Sequence, residues 1–199
     1  MAGQHKAANI VHFSRLSEEG YRWLREDKAG WRSEGEALHI AALPGSLWED
    51  SNNARNILIR SEGLAGAVRL EVEVTLAPER NSEQAGLLLY ADDDNYIKLV
   101  KELVNDEHVV VLAVEVQGAT RVLSLVKMAT DARTIRLQLD WSGNEAAARF
   151  LESEDGIWTE MGRYAGLEAG AFKPGLCSHG GGETPARWAA FTGLQLTDL

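Results

Sequence analysis

Between Val68 and Leu76 the chain reads VRLEVEVTL, an alternation that only a strand with one buried and one wet face satisfies. Val68, Leu70, Val72, Val74 and Leu76 point one way, and Arg69, Glu71, Glu73 and Thr75 the other. A strand of this kind needs partners, and the rest of the chain supplies them. ALHIAAL sets Leu38 and Ile40 on either side of His39, and ILIRS follows a loop that ends in Asn56. TIRLQLDW places Ile135, Leu137, Leu139 and Trp141 opposite Arg136, Gln138 and Asp140, then turns at Ser142-Gly143-Asn144 into AAARFLE. QAGLLLYA and NYIKLVKEL flank Asp92-Asp93-Asp94, and HVVVLAVEV and RVLSLV flank Gln117-Gly118; both spacings are those of hairpins.

About a dozen short strands at this turn spacing, with almost no helical periodicity, predict an all-β fold of two stacked antiparallel sheets in jelly-roll order. Helix should account for under about a tenth of the residues. Only LEAGAF, residues 167–172, could supply a helical turn. The expected inward set is Leu70, Val72, Val74, Leu87, Leu89, Ile97, Leu99, Leu137, Leu139 and Phe191. Trp141, Trp158 and Trp188 also read in core register.

A chain of 199 residues is long enough to bury such a core as one domain without disulfide or metal. Residues 1–20 read as an N-terminal arm, frayed or packed on the sandwich, and 21–199 as the sandwich itself. With 30 acidic and 20 basic residues the net charge is -10, which argues against nucleic acid or an anionic membrane as partner. The start lacks the apolar core of a secretory signal, so the expected setting is cytoplasmic, or that of an excised domain of an exported protein. Cys177 is the single cysteine. With His179 two residues on, a nucleophile–base pair is conceivable; a small buried thiol is the simpler reading.

Three groups of residues carry a resemblance. They are GEALHIAALPG with NNARNILIR, then QAGLLLYADDDNYIKLVKE, then GIWTEMGRY with GAFKPGLCS and AAFTGLQL. In this order, from about Trp23 to Leu196, the chain resembles the concanavalin A-like sandwiches. Within them it is similar to the jelly-roll domains that close family 43 β-xylosidases and to enolase-regulator-like domains of unknown function. The resemblance implies the fold. It implies function far less, because lectins, glucanases and noncatalytic modules share it.

The acidic E-x-D-x-x-E strand of the laminarinase-like glucanases is absent. Glu71-Val-Glu73 has Leu76 where the third acid belongs, and Glu152-Ser-Glu154-Asp155 breaks at Ile157. Glu102 and Asp140 are the acid pair that remains for a hydrolase. Asp92, Asp93, Asp94 and Asn95 could contribute oxygens to calcium, but such a run reads first as a solvated turn. The histidines lack metal-ligand spacing and the glycines at 180–182 lack a phosphate-loop context, so no metal and no cofactor is expected.

The positive hint is aromatic. Sugars stack on rings while carboxylates, amides and cations take their hydroxyls. Six tryptophans are present. If Ile97 and Leu99 face the core, Tyr96, Lys98 and Glu102 face away from it, and Gln84 and Tyr90 join them from the paired strand. Arg136, Gln138 and Asp140 are expected on the same groove, with Trp48 and Asn52 from the loop before. Lys98 and Glu102, about 13 Å apart along one strand, should then pair across strands, as Glu102–Arg136 and Lys98–Asp140, open to solvent. The expectation is a noncatalytic carbohydrate-binding module with a polar groove on the concave sheet. Its partner would be an oligosaccharide or polysaccharide, alone, as a homo-oligomer, or within a larger glycan-processing system. The alternatives are a structural or protein-interaction sandwich, and a hydrolase with an atypical acid pair.

Overall fold

The computed structural model describes residues 8–167 and 172–199, so the possible helical turn at 167–172 lies largely outside the described residues. The strands in chain order are β1 (Asn9–Ile10), β2 (Tyr21–Leu24), β3 (Trp31–Glu34), β4 (Ala37–Ala41), β5 (Leu47–Trp48) and β6 (Ser51–Asn52). They continue as β7 (Ile57–Arg60), β8 (Val68–Thr75), β9 (Gln84–Asp92), β10 (Asn95–Val104), β11 (Glu107–Val116) and β12 (Ala119–Lys127). The last five are β13 (Thr134–Trp141), β14 (Glu145–Leu151), β15 (Thr159–Ala165), β16 (Lys173–His179) and β17 (Trp188–Asp198). Two three-residue 3-10 turns, Phe13–Arg15 and Lys28–Gly30, are the only helical elements among the described residues.

Two large antiparallel sheets form a concanavalin A-like sandwich. The first runs β15-β14-β13-β8-β17-β4-β3, with β1 added beside β17; the second runs β12-β11-β10-β9-β16-β7-β2. Residues 8–20 lie against this frame: β1 pairs with β17, and Val11, Phe13 and Leu16 are buried in the core. The hairpins have the turn chemistry their spacing demands. Asn105-Asp106 joins β10 to β11 and Gln117-Gly118 joins β11 to β12, and all four residues have positive φ, as a two-residue hairpin turn requires.

Every residue of the expected inward set is buried between the sheets. Trp141 is there too. Trp158 and Trp188 are not: both are half-buried on the outside, with Arg149 and Arg32 stacked on their rings at 4.8 and 4.4 Å. Trp188 and Phe191 are three apart, so one strand cannot send both inward. Ala189 and Phe191 take the inward positions instead.

Lys101 is the residue that the alternating pattern does not explain. It sits on the core side of β10, opposite Ala85 and Val110, and is 1% exposed. Its ammonium donates to the carbonyl oxygens of Leu76 (2.8 Å) and Arg133 (2.9 Å) and to that of Ala132. The side chain thus closes one end of the core by tying the end of β8 to the segment before β13. Burial pulls its pKa down to about 8. Lys101→Met would leave three inward carbonyls without this donor. We expect a loss of about 2–4 kcal/mol in urea unfolding with an unchanged m-value; a loss below about 0.5 kcal/mol would show that water replaces the ammonium.

Candidate functional site

The second sheet buries its central strands on both faces. Leu87, Leu89, Ile97 and Leu99 meet the first sheet, while Leu88, Tyr90, Tyr96, Val100 and Val111 form a second cluster on the outer side. What covers that outer side is the segment 43–56. It carries the two-stranded ribbon of β5 and β6, whose turn is Glu49-Asp50, and Leu47 points from it into the second cluster at 0% exposure.

Hydrogen bonds fasten this roof. The Tyr96 hydroxyl is shared between the Leu47 carbonyl oxygen (2.5 Å) and Glu115 Oε2 (2.8 Å). The Glu49 amide donates to the same Glu115 oxygen at 3.2 Å, and Thr120 Oγ1 donates to Glu49 Oε1 at 3.1 Å. Ser46 N donates to Asn53 Oδ1 at 2.9 Å, which closes the loop on itself.

Where the roof stops, a cleft of about 650 Å³ remains, within the range of small-molecule sites. Trp48, Glu49 and Asp50 form its upper side, Gln84, Lys98, Glu102 and Val104 its floor, and Val111, Val122 and Leu125 its far wall. Lys98 is 3% exposed. Its ammonium donates to Gln84 Oε1 at 3.0 Å and lies 5.2 Å from the centre of the Trp48 ring. Burial lowers its pKa, against the opposing pull of Cys177, Glu102 and Glu115. Glu102 is half-buried with no hydrogen bond among the described residues, and burial raises its pKa while Lys98 lowers it.

Five of the expected groove residues therefore share one face: Gln84, Tyr90, Tyr96, Lys98 and Glu102. They are not, however, open to solvent. Tyr96 is fully buried under Leu47, and Tyr90 is 7% exposed with its hydroxyl donating to Asp93 Oδ1 at 2.8 Å, so neither ring is available for stacking. Trp48 lines the cleft; Asn52, on the other strand of the ribbon, is half-buried and does not. Asp93 is taken up by Tyr90 and by Arg25 (2.9 Å), and Asp92 Oδ1 accepts from Asp94 N and Asn95 Nδ2, as in a self-bonded turn.

Arg136, Gln138 and Asp140 lie elsewhere. They are on β13, which pairs with β8 in the first sheet, and face out on the opposite side of the sandwich. The expected pairs Glu102–Arg136 and Lys98–Asp140 do not exist. Asp140 takes both arms of Arg69 at 2.7 Å, Gln138 bridges Asp140 and Arg149 (both 3.1 Å), and Arg136 is 3.8 Å from Glu71. The acid pair Glu102/Asp140 is ruled out by the same placement.

The cleft also contains residues that pattern reasoning missed. Val122 and Leu125 are three apart on β12, and a regular strand would turn them to opposite faces. Leu112 pairs with Ser124 but Ala113 with Val122, so Leu123 is an extra residue, and this bulge brings both side chains to the cleft side. Nothing in RVLSLV signals it.

Cys177 and His179 do share the face of Lys98, from β16. The thiol is fully buried and pushed up to about 11 by that burial, which makes it an inert core residue. His179 is 1% exposed, and both ring nitrogens lack a hydrogen-bond partner among the described residues.

Residues 17–193 match the model of the β-xylosidase C-terminal concanavalin A-like domain. The chain belongs to that family. No curated protein sequence matches it. Among solved structures, the GH43 BlXynB protein of Bacillus licheniformis superposes with a TM-score of 0.77 at 16% identity, over 90% of this chain and 37% of that one. The chain thus spans little more than a third of that protein's length. A functionally unknown protein of Saccharomyces cerevisiae aligns over 91% of this chain and 97% of its own, with a TM-score of 0.73 and 15% identity. The carbohydrate-binding module CBM66 of Bacillus subtilis aligns over 90% and 96%, at 0.58 and 14%. At these identities the structural likenesses establish the fold.

Burial also sets a pH dependence. It pulls the pKa of His179 down to about 3 from the ordinary 6.5, helped by the nearby charge of Lys98. Below the unfolded value the unfolded chain takes up a proton that the folded protein refuses, so stability falls as pH drops from about 6.5 toward 3, by up to about 1.4 kcal/mol per pH unit. Measured by urea unfolding between pH 4 and 6.5, His179→Leu should flatten that slope by about one proton. An identical slope in the variant would show that His179 is protonated in the fold.

Proposed function

We propose that this domain is a noncatalytic carbohydrate-binding module whose ligand lies in the cleft of the second sheet. The observation that carries the reading is the make-up of that cleft. An aromatic ring, Trp48, stands beside a buried amide and ammonium pair, Gln84–Lys98, and a half-buried carboxylate, Glu102, that accepts no hydrogen bond among the described residues. A ring for a sugar's CH face with donors and acceptors for its hydroxyls is what such a ligand requires. Family membership and the likeness to a carbohydrate-binding module support the same reading.

The ligand is uncharged on this account. Glu49, Asp50 and Glu102 around one buried lysine repel a uronate or sulfate. Binding without turnover follows from the same set. At the floor Glu102 stands beside the cation of Lys98 and the amide of Gln84, and of the acids on the roof Glu49 is tied to Thr120.

Calorimetric titration with neutral xylo-oligosaccharides and other neutral glycans tests this. Trp48→Ala and Glu102→Gln should each weaken binding about ten-fold, a loss of about 1.4 kcal/mol. Arg136→Ala, on the opposite face, should leave it unchanged. Binding that survives Trp48→Ala and is lost in Arg136→Ala would place the ligand on the first sheet and refute the proposal.

A further inference from the structure

The cleft is divided, and the division says what kind of glycan it takes; this inference rests on the glycan-binding reading above. Register orders the side chains across the sheet. On β9 and β10 lie Gln84, Lys98 and Glu102; on β11 and β12 lie Val111, Val122 and Leu125. Lys98 is opposite Ala113, and Ala113 opposite Val122, so Val122 and Leu125 stand two strand spacings, about 10 Å, from β10, with Val111 on the strand between. A single sugar ring held by Lys98 and Glu102 does not span that distance.

The apolar half is also exposed in a way the fold does not require. Val122 is 47% and Leu125 49% exposed, on the edge strand of the sheet, and both are there because the bulge at Leu123 turns Val122 to the side of Leu125. Bulges commonly re-aim a side chain beside a functional site. Thr120, on the same strand, donates to Glu49, so the polar roof and the apolar wall are tied into one rim.

We infer that the cleft binds an uncharged amphiphilic glycoside. Its sugar lies between Trp48 and the Gln84–Lys98–Glu102 floor, and its apolar aglycone lies against Val111, Val122 and Leu125. The carboxylates of the rim disfavour an anionic amphiphile in the same place.

The test is calorimetric titration of the whole chain with methyl, butyl and octyl β-xyloside below their micelle concentrations. Octyl tetraethylene glycol serves as the same alkyl chain without a sugar. We expect affinity to rise by about ten-fold or more from methyl to octyl, since each buried methylene contributes. In the double variant Val122→Ser/Leu125→Ser the rise should shrink to about two-fold or less, and a rise still near ten-fold would overturn the inference. Both positions are exposed, and an unchanged thermal midpoint would confirm that the variant is folded. Equal affinity for methyl and octyl xyloside would overturn the inference and leave the glycan reading standing. Binding of octyl tetraethylene glycol as tight as that of octyl xyloside, or binding of none of them, would overturn both.

Discussion

The structure depends on one constraint: the central strands of the second sheet are buried on both faces. β9 is buried without a break from Gln84 to Tyr90, and β10 nearly so. The first sheet covers one side, as in any sandwich. The other side needs a separate cover, and Leu47 provides its anchor, with a side chain in the second cluster and a carbonyl that accepts from Tyr96. Polar groups at the margin of that cover, Lys98 and Glu102 among them, are only partly compensated. The cleft lies at this margin, where the roof ends and the sheet continues.

The two outer faces of the sandwich differ in how their charges are used. On the first sheet Arg69, Asp140, Gln138 and Arg149 bond one another in a closed run, and Trp158 is covered by Arg149. Such a run leaves Arg149 Nε unpartnered but engages both oxygens of Asp140 and both ends of the Gln138 amide, and it gains little by contact with a hydroxyl. On the second sheet Glu102 is without a hydrogen bond among the described residues, and Lys98 has one good acceptor, Gln84. A ligand that supplies hydroxyls there improves bonds that the protein leaves incomplete. This contrast, more than the count of charges, points to the second sheet.

Much of the fold was legible because a period of two separates inside from outside, and VRLEVEVTL, TIRLQLDW and the paired hairpins obey it. The same period cannot say to which sheet a strand belongs. Arg136 and Asp140 were rightly turned outward but joined to Lys98, because only long-range pairing puts β13 beside β8. Two further elements escape any local pattern. The bulge at Leu123 reverses the side that Val122 faces, and the cover by Leu47 buries a tyrosine that alternation alone leaves on the surface. Lys101 was invisible for a related reason: its partners are backbone carbonyls from distant segments.

The most direct measurement of the central claim is amide chemical-shift mapping of this 21.8 kDa chain with a neutral xylo-oligosaccharide. The account predicts shifts concentrated at Gln84, Lys98, Glu102, Val111 and residues 46–51, with those of Arg136, Gln138 and Asp140 unmoved. Shifts confined to the Arg69–Asp140 face, or none at saturating glycan, would contradict it.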